Sequence, residues 1–217
     1  MLASMKFGGS ELFALIAAVS FAAGLNLYAT VATLGLLAHA GLLDLPSGLT
    51  LLSSWWVIAA AGVLFVIEFF ADKIPAFDLF WNALHTFVRV PVAALMAYGA
   101  TSQLSPEKQV LASLLGATIA LAAHGGKTAA RVAVTPSPEP VSNIALSAGE
   151  DVVAVSLTWL ATQHPIAAAL IVAAFLAVIA IVMRWVVRAV RSLFRGAEHQ
   201  HSESELAPSK RDGLNVA

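Results

Sequence analysis

Glu68 and Asp72 stand one helical turn apart, and His124, Lys127 and Arg131 recur at a similar spacing further along the chain. Carboxylates and cations set at helical intervals can hold an ion, pass a proton or grip a polar solute, provided the fold keeps bulk water away. Arg89 opens one apolar stretch and the Glu150–Asp151 pair opens another. These charges look complementary, so Arg89 is expected to pair with Glu150 or Asp151, and Glu68 or Asp72 with Lys127 or Arg131. A second polar group interrupts the first apolar stretch, where Asn26 and Thr30 fall on one helical face with Tyr28 between them and Gly24 just before.

Two polar stripes complete the set. Asp78, Asn82, His85 and Arg89 recur at i, i+4, i+7 and i+11, with Lys73 just upstream, and Glu139, Asn143, Ser147 and Glu150 form a similar stripe. Each group also has a plainer reading, in which charge pairs only lock helices together and Asn26 makes an interhelical hydrogen bond. Glu68, Asp72, His85 and His124, helped by Asp78, Glu139 and Glu150, offer the donor types of a divalent-cation site, although no His-x3-His or Cys motif supports one. No organic cofactor is expected. Ser137, Ser142 and Ser147 lack a nucleophile elbow, and Gly125-Gly126-Lys127-Thr128 matches only the end of a phosphate loop, so an enzyme is not the expectation.

The elements that must position these groups are membrane helices. The chain has 217 residues, 59% hydrophobic and only 12% charged, with a mean hydropathy of +0.83. A soluble domain carries about 25% charged residues. Six spans are expected near 11–38, 55–71, 89–104, 109–125, 150–164 and 166–187. The stretch from Leu12 to Ala38 outruns the roughly 7–15 apolar residues of a secretion signal, so it reads as a retained span. There is no cysteine, which excludes disulfides and thiolate chemistry.

Threaded this way with the N-terminus inside, eleven of the twelve Lys and Arg residues lie on the inner side and only Lys108 lies outside. Cytoplasmic loops favour Lys and Arg, so both termini are expected in the cytoplasm of a cell (inner) membrane. Arg184, Arg188, Arg191 and Arg195 make one stripe at the exit of the last span, placed to meet anionic headgroups. The polar tail 196–217 is expected to be disordered, leaving a transmembrane domain over 1–195.

Residues 74–104 align without gaps onto 135–165, matching Pro75 with Pro136, Asn82 with Asn143 and Thr86 with Ser147. The expected fold class is therefore all-α: a polytopic bundle of about six spans with two repeated hairpins, about 55–104 and 109–165. Each hairpin would be a span, a loop, a short amphipathic helix and a returning span, related by a pseudo-twofold axis along the membrane normal. Spans 11–38 and 166–187 would flank them.

The blocks Ala71-Asp72-Lys73-Ile74-Pro75 through Asp78, then His85-Thr86 and Arg89, resemble a family of bacterial integral-membrane proteins. So do His124 with Lys127, Ser137-Pro138-Glu139-Pro140, Ser142-Asn143 and Glu150-Asp151. That family is the domain of unknown function DUF4126. The resemblance covers roughly residues 10–165 and leaves the last span and tail outside. It implies a membrane fold and supplies no activity, so no catalytic residue is carried over.

The expectation is a small transporter or channel for an ion or small polar solute, with its site where the two polar stripes meet the first span near the cytoplasmic side. A lipid-handling protein of the scramblase kind and a non-catalytic membrane scaffold are the alternatives. The expected partners are the lipid bilayer, a small ion or solute and further copies of the chain, without nucleic acid.

Overall fold

The computed structural model describes residues 8–72, 74–134 and 140–206; Lys73 and Glu139 lie outside these, and the side chains of Asp78, Asn143 and Arg195 are also outside the description. Every described element is helical: α1 (Gly9–Leu25), α2 (Leu27–His39), a short 3-10 helix (Ser47–Ser53), α3 (Trp55–Ala71), α4 (Pro75–Ala100), α5 (Pro106–Val134), α6 (Pro140–Gln163) and α7 (Pro165–Leu206). Prolines begin α4, α5, α6 and α7. A proline at a helix start has its ring angle already set, and the N–H it lacks would find no partner there.

Four stretches are long and apolar enough to cross a bilayer alone: Phe80–Ala100, Pro106–Arg131, Ile144–Gln163 and Pro165–Arg188. A fifth forms if α3 is joined to the 3-10 helix across a 65° bend. The chain is thus a multi-pass membrane protein by the length and composition of its helices. Its large apolar side chains follow suit, with Trp56, Phe87, Leu95 and Val152 among many facing outward.

The first apolar stretch differs from the expected single helix over 11–38. It is broken at Asn26, whose backbone is extended (φ −144°, ψ 104°), so that α1 ends and α2 begins within one residue. The cause is local. The Asn26 Oδ1 accepts from the Ala29 N–H at 2.9 Å and caps the new helix, an interaction that competes with continuing the old one. Thr30 supports the break by donating its hydroxyl to the Asn26 carbonyl at 2.9 Å.

The second difference lies in the hairpins. The amphipathic segment expected as a separate short helix before span three runs straight into it, giving one helix with Pro91 inside. Continuous stacking of backbone hydrogen bonds is favoured over a second costly nucleation event. A twofold relating α3–α4 to α5–α6 would match the extensive α4–α5 interface with one between α3 and α6. Among the described residues α3 instead packs on α2, and α6 on α1 and α2.

The chain divides into two units, Met1–Leu176 and Ala177–Ala217. In the first, α1 is central: it packs on α4, α5 and α6, and its side chains from Leu12 to Leu25 are largely buried. Small residues permit that closeness. A Cβ added to Gly24 would stand 2.5 Å from the Ala120 carbonyl oxygen, and one added to Gly116 would stand 2.8 Å from the Ala97 Cβ. Without a hydrophobic drive between helices in lipid, such close backbone approach supplies the van der Waals contact that holds a bundle. In the second unit, Arg184, Arg188 and Arg191 are exposed. The helix α7 continues to Leu206, past Gly196 where the disordered tail was expected to begin; 207–217 lie outside the described residues.

Candidate functional site

Most of the charge in the spans converges on one place. Glu68 and Asp72 come from the end of α3, Arg89 from the middle of α4, Lys127 and Arg131 from the end of α5, and Glu150 and Asp151 from α6. All seven are buried, Glu68 and Arg89 to 0% exposure. The periodicities explain the convergence: Glu68 and Asp72 are four residues apart on α3, Lys127 and Arg131 four apart on α5, so each pair projects from one helical face.

Lys127 is the hub. Its Nζ lies 3.2 Å from Asp72 Oδ2, 3.2 Å from Glu150 Oε2 and 3.7 Å from Glu68 Oε1. Arg131 bridges Asp72 at 2.9 Å and Glu150 at 2.6 Å. The expected pairing of Asp72 with these two cations is what the geometry has. The expected pairing of Arg89 with Glu150 or Asp151 is not: Arg89 pairs with Glu68. Placement decides it: Glu68 stands one turn before Asp72 on α3 and meets Arg89 there, while Glu150 is taken by Lys127 and Arg131 of α5.

The break in the first span joins this cluster directly. Asn26 Nδ2 donates to Asp151 Oδ1 at 2.8 Å, and Lys127 Nζ donates to the Leu25 carbonyl at 3.2 Å. That carbonyl belongs to the last turn of α1, where helix acceptors lose their intrahelical donors.

A neutral rim borders the charges. Arg89 donates to His124 Nδ1 at 3.0 Å and approaches Asn82 Oδ1 at 3.4 Å. An arginine can only donate, so the His124 ring proton sits on Nε2, beside Thr86 Oγ1 at 2.8 Å and the Asn82 carbonyl at 3.1 Å. His85 takes the opposite tautomer. Its Nδ1 faces the Trp81 carbonyl at 2.8 Å and must donate there, leaving Nε2 to accept from the Tyr28 hydroxyl at 2.9 Å. A cleft of about 390 Å³ between α4 and α5 reaches this rim, lined by Asn82, Thr86, His124 and Thr128 among apolar neighbours.

Asn26, Tyr28, Glu68, Asp72, Asn82, His85, Arg89, His124, Lys127, Arg131, Glu150 and Asp151 are therefore brought together. Thr30 is buried beside them but spends its hydroxyl on the break. Lys73, Asp78, Glu139 and Asn143 fall outside the described residues or side chains. Glu68, Asp72, His85 and His124 do not form a metal site, since among the described residues no group of three or more His, Asp or Glu side chains is placed to hold one. The two carboxylates are turned to cations and the two imidazoles to hydroxyls and carbonyls. Thr86 belongs to the site although it was not among the candidates, and Ser147 of the second polar stripe is buried on α6. Thr86 holds His124, and Ser147 is fully buried with its hydroxyl unpaired among the described residues. Their alignment in the repeat was the available signal.

Several oxygens in the cluster have no donor among the described residues: Glu68 Oε2, Glu150 Oε1 and Asp151 Oδ2. A buried polar atom left without a partner costs about 1–3 kcal/mol. Three in one cluster mark a place able to bind water, an ion or a polar solute.

No curated protein and no solved structure matches the chain. The family model of the domain of unknown function DUF4126 matches residues 13–185, beyond the expected limit near 165 and into α7. The chain belongs to the DUF4126 family.

Proposed function

We propose that the protein is a small membrane transporter or channel for an ion or small polar solute, with its site at the buried charge cluster. The observation that carries this reading is the seating of seven ionisable side chains around a broken span. Ionisable groups inside a membrane are expensive, and in transporters discontinuous helices turn their free ends toward substrate and coupling ions. In this reading α1 and α2 together form one interrupted crossing, which with α3 to α7 makes six. Both termini then face the cytoplasm of the inner membrane, following the Lys and Arg distribution. The outward apolar face of α3, with Trp56, Val63 and Phe70, supports contact with lipid or with further copies of the chain.

Reconstitution into liposomes tests the reading. Radiolabelled sodium, potassium, chloride, phosphate and amino acids are offered in turn, and at least one should enter above empty liposomes. Lys127→Met should reduce that flux tenfold or more while the protein still elutes as a folded species. Equal leakage from loaded and empty liposomes for the whole panel would sink transport of these solutes.

One observation favours lipid handling as a second reading. The cleft between α4 and α5 opens on the bundle surface, with Arg89 behind His124 and Asn82, a placement suited to a lipid phosphate. Fluorescent-lipid scrambling in the same liposomes separates the two readings.

A further inference from the structure

Asp151 is the one described carboxylate of the cluster that no cation holds. Glu68 meets Arg89 and Lys127, and Asp72 and Glu150 each meet Lys127 and Arg131. Among the described residues Asp151 has only the Asn26 amide on Oδ1, and its Oδ2 is buried without a partner there, the residue being 7% exposed. Summed over these described groups, three cations (Arg89, Lys127, Arg131) and four carboxylates (Glu68, Asp72, Glu150, Asp151) leave 3 − 4 = −1. The unmatched charge falls on the carboxylate that lacks an ion pair.

The surroundings narrow what could balance it. Helix α6 packs on α1, α2 and α5. From the α1–α2 junction Asn26 faces Asp151; the charges whose field reaches it are Lys127 on α5, Asp72 and Glu68 on α3 and its neighbour Glu150. Asn26 is fixed in orientation, because its Oδ1 caps α2 and its Nδ2 is then committed to Asp151. One carboxylate oxygen stays open beside a helix break whose Leu25 carbonyl already accepts from a cationic group. A divalent ion calls for several carboxylates set together, and among the described residues no group of three is placed to hold one, whereas one unit of missing charge suits a monovalent cation.

We infer that Asp151, together with the break at Asn26, binds a monovalent cation, H⁺ or Na⁺, and that this binding couples to the solute movement proposed above. The coupling rests on that proposal; the binding does not. Asn26 holds Oδ1, the cation takes Oδ2, and loading removes the net negative charge of the cluster.

The test uses the full chain in lipid nanodiscs. Infrared difference spectra across pH, with and without sodium, read protonated carboxyl groups, and equilibrium binding of radioactive sodium reads the metal cation. Wild type should show a protonated-carboxyl band that disappears in Asp151→Asn and persists in Glu107→Gln, a control at an exposed position outside the cluster. If sodium suppresses the band and binds in a form lost in Asp151→Asn, the two cations share the site; if sodium leaves it untouched, the proton alone is the ligand. Identical spectra and identical sodium binding in wild type and Asp151→Asn would overturn the inference. Should that variant fail to fold, Asn26→Ala keeps the carboxylate and removes its donor. The midpoint for the cation should then change roughly tenfold, as loss of one hydrogen bond to a charged group implies, and an unchanged midpoint overturns the inference equally. Cation binding without flux in the liposome assay would refute transport and leave this site standing, whereas flux with neither binding signal would remove the site alone.

Discussion

Replacing Arg89 by methionine removes the guanidinium that pairs with Glu68 and keeps an unbranched apolar stem in its place. Glu68 is fully buried and then has one cation left among the described residues, Lys127 at 3.7 Å. At an effective dielectric near 20 that distance is worth roughly 4 kcal/mol for two isolated charges. Lys127 is not isolated, however: Asp72 and Glu150 both lie closer to it, at 3.2 Å. Its charge is shared among three carboxylates, and Glu68 is left largely uncompensated. Arg89→Met should therefore cost about 3–5 kcal/mol, the usual penalty for breaking a buried pair by removing one partner. Adding Glu68→Gln removes the stranded charge and should recover most of the loss, giving a coupling energy of at least about 2–3 kcal/mol in a double-mutant cycle. The same cycle run with Glu150→Gln should show no recovery, because Glu150 answers to Arg131 and Lys127. Unfolding in lipid bicelles, followed by steric trapping, supplies the free energies. Additive losses for Arg89 and Glu68, or a larger coupling with Glu150, would refute the assignment of the pair.

Three further outcomes are expected. Gly24→Ala should destabilise the bundle by about 1–3 kcal/mol, since its Cβ would meet the Ala120 carbonyl at 2.5 Å and neither backbone can yield cheaply; thermal denaturation in detergent measures it, and an unchanged midpoint would contradict the close α1–α5 approach. Asn26→Ala removes a helix cap worth about 1 kcal/mol and strips Asp151 of its only donor among the described residues, a further 1–3 kcal/mol or so, whereas Asn26→Asp should be worse because it sets a second carboxylate against the first. Because the chain has no cysteine, single replacements report topology: Ser102→Cys should react with an impermeant maleimide on intact cells, and Ser192→Cys only after permeabilisation. The reverse pattern would overturn the cytoplasmic placement of the termini.

The sequence made some of this legible and hid the rest for physical reasons. Burying Glu68, Asp72, Lys127 and Arg131 near one another follows from helical spacing and from the need of charges in low dielectric for partners, and both can be read in one dimension. The pairing of Arg89 could not, because it depends on how far each helix slides along its neighbours, a quantity set by small-residue contacts such as Gly24 on Ala120. The break at Asn26 was half visible. Gly24, Asn26 and Thr30 announced a weak point in an apolar helix, but a capping bond from Asn26 to Ala29 is a local choice that hydropathy does not register. The separate short helix before span three was a misreading of the same kind. Amphipathic and apolar faces in succession look like two elements, although the backbone passes from one to the other without interruption.

A cluster built only to lock helices together would leave a different trace. Paired charges in a membrane interior gain little over well-packed apolar side chains once desolvation is counted. This bundle already has the cheaper device in the close contacts at Gly24 and Gly116. A lock would also close its hydrogen bonds, since each unmet one weakens the lock that is supposed to justify the charge. Here Glu68, Glu150 and Asp151 each keep one buried oxygen without a donor among the described residues, and the first span gives up its helical continuity to bring Asn26 to one of them. Those costs share one location and lean to one polarity, three acceptors without donors beside the open donor Arg89 Nε among the described residues. A site that exchanges its contents accounts for both, because what passes through it, whether a proton, a sodium ion or the positive end of a solute, supplies the missing donors in turn.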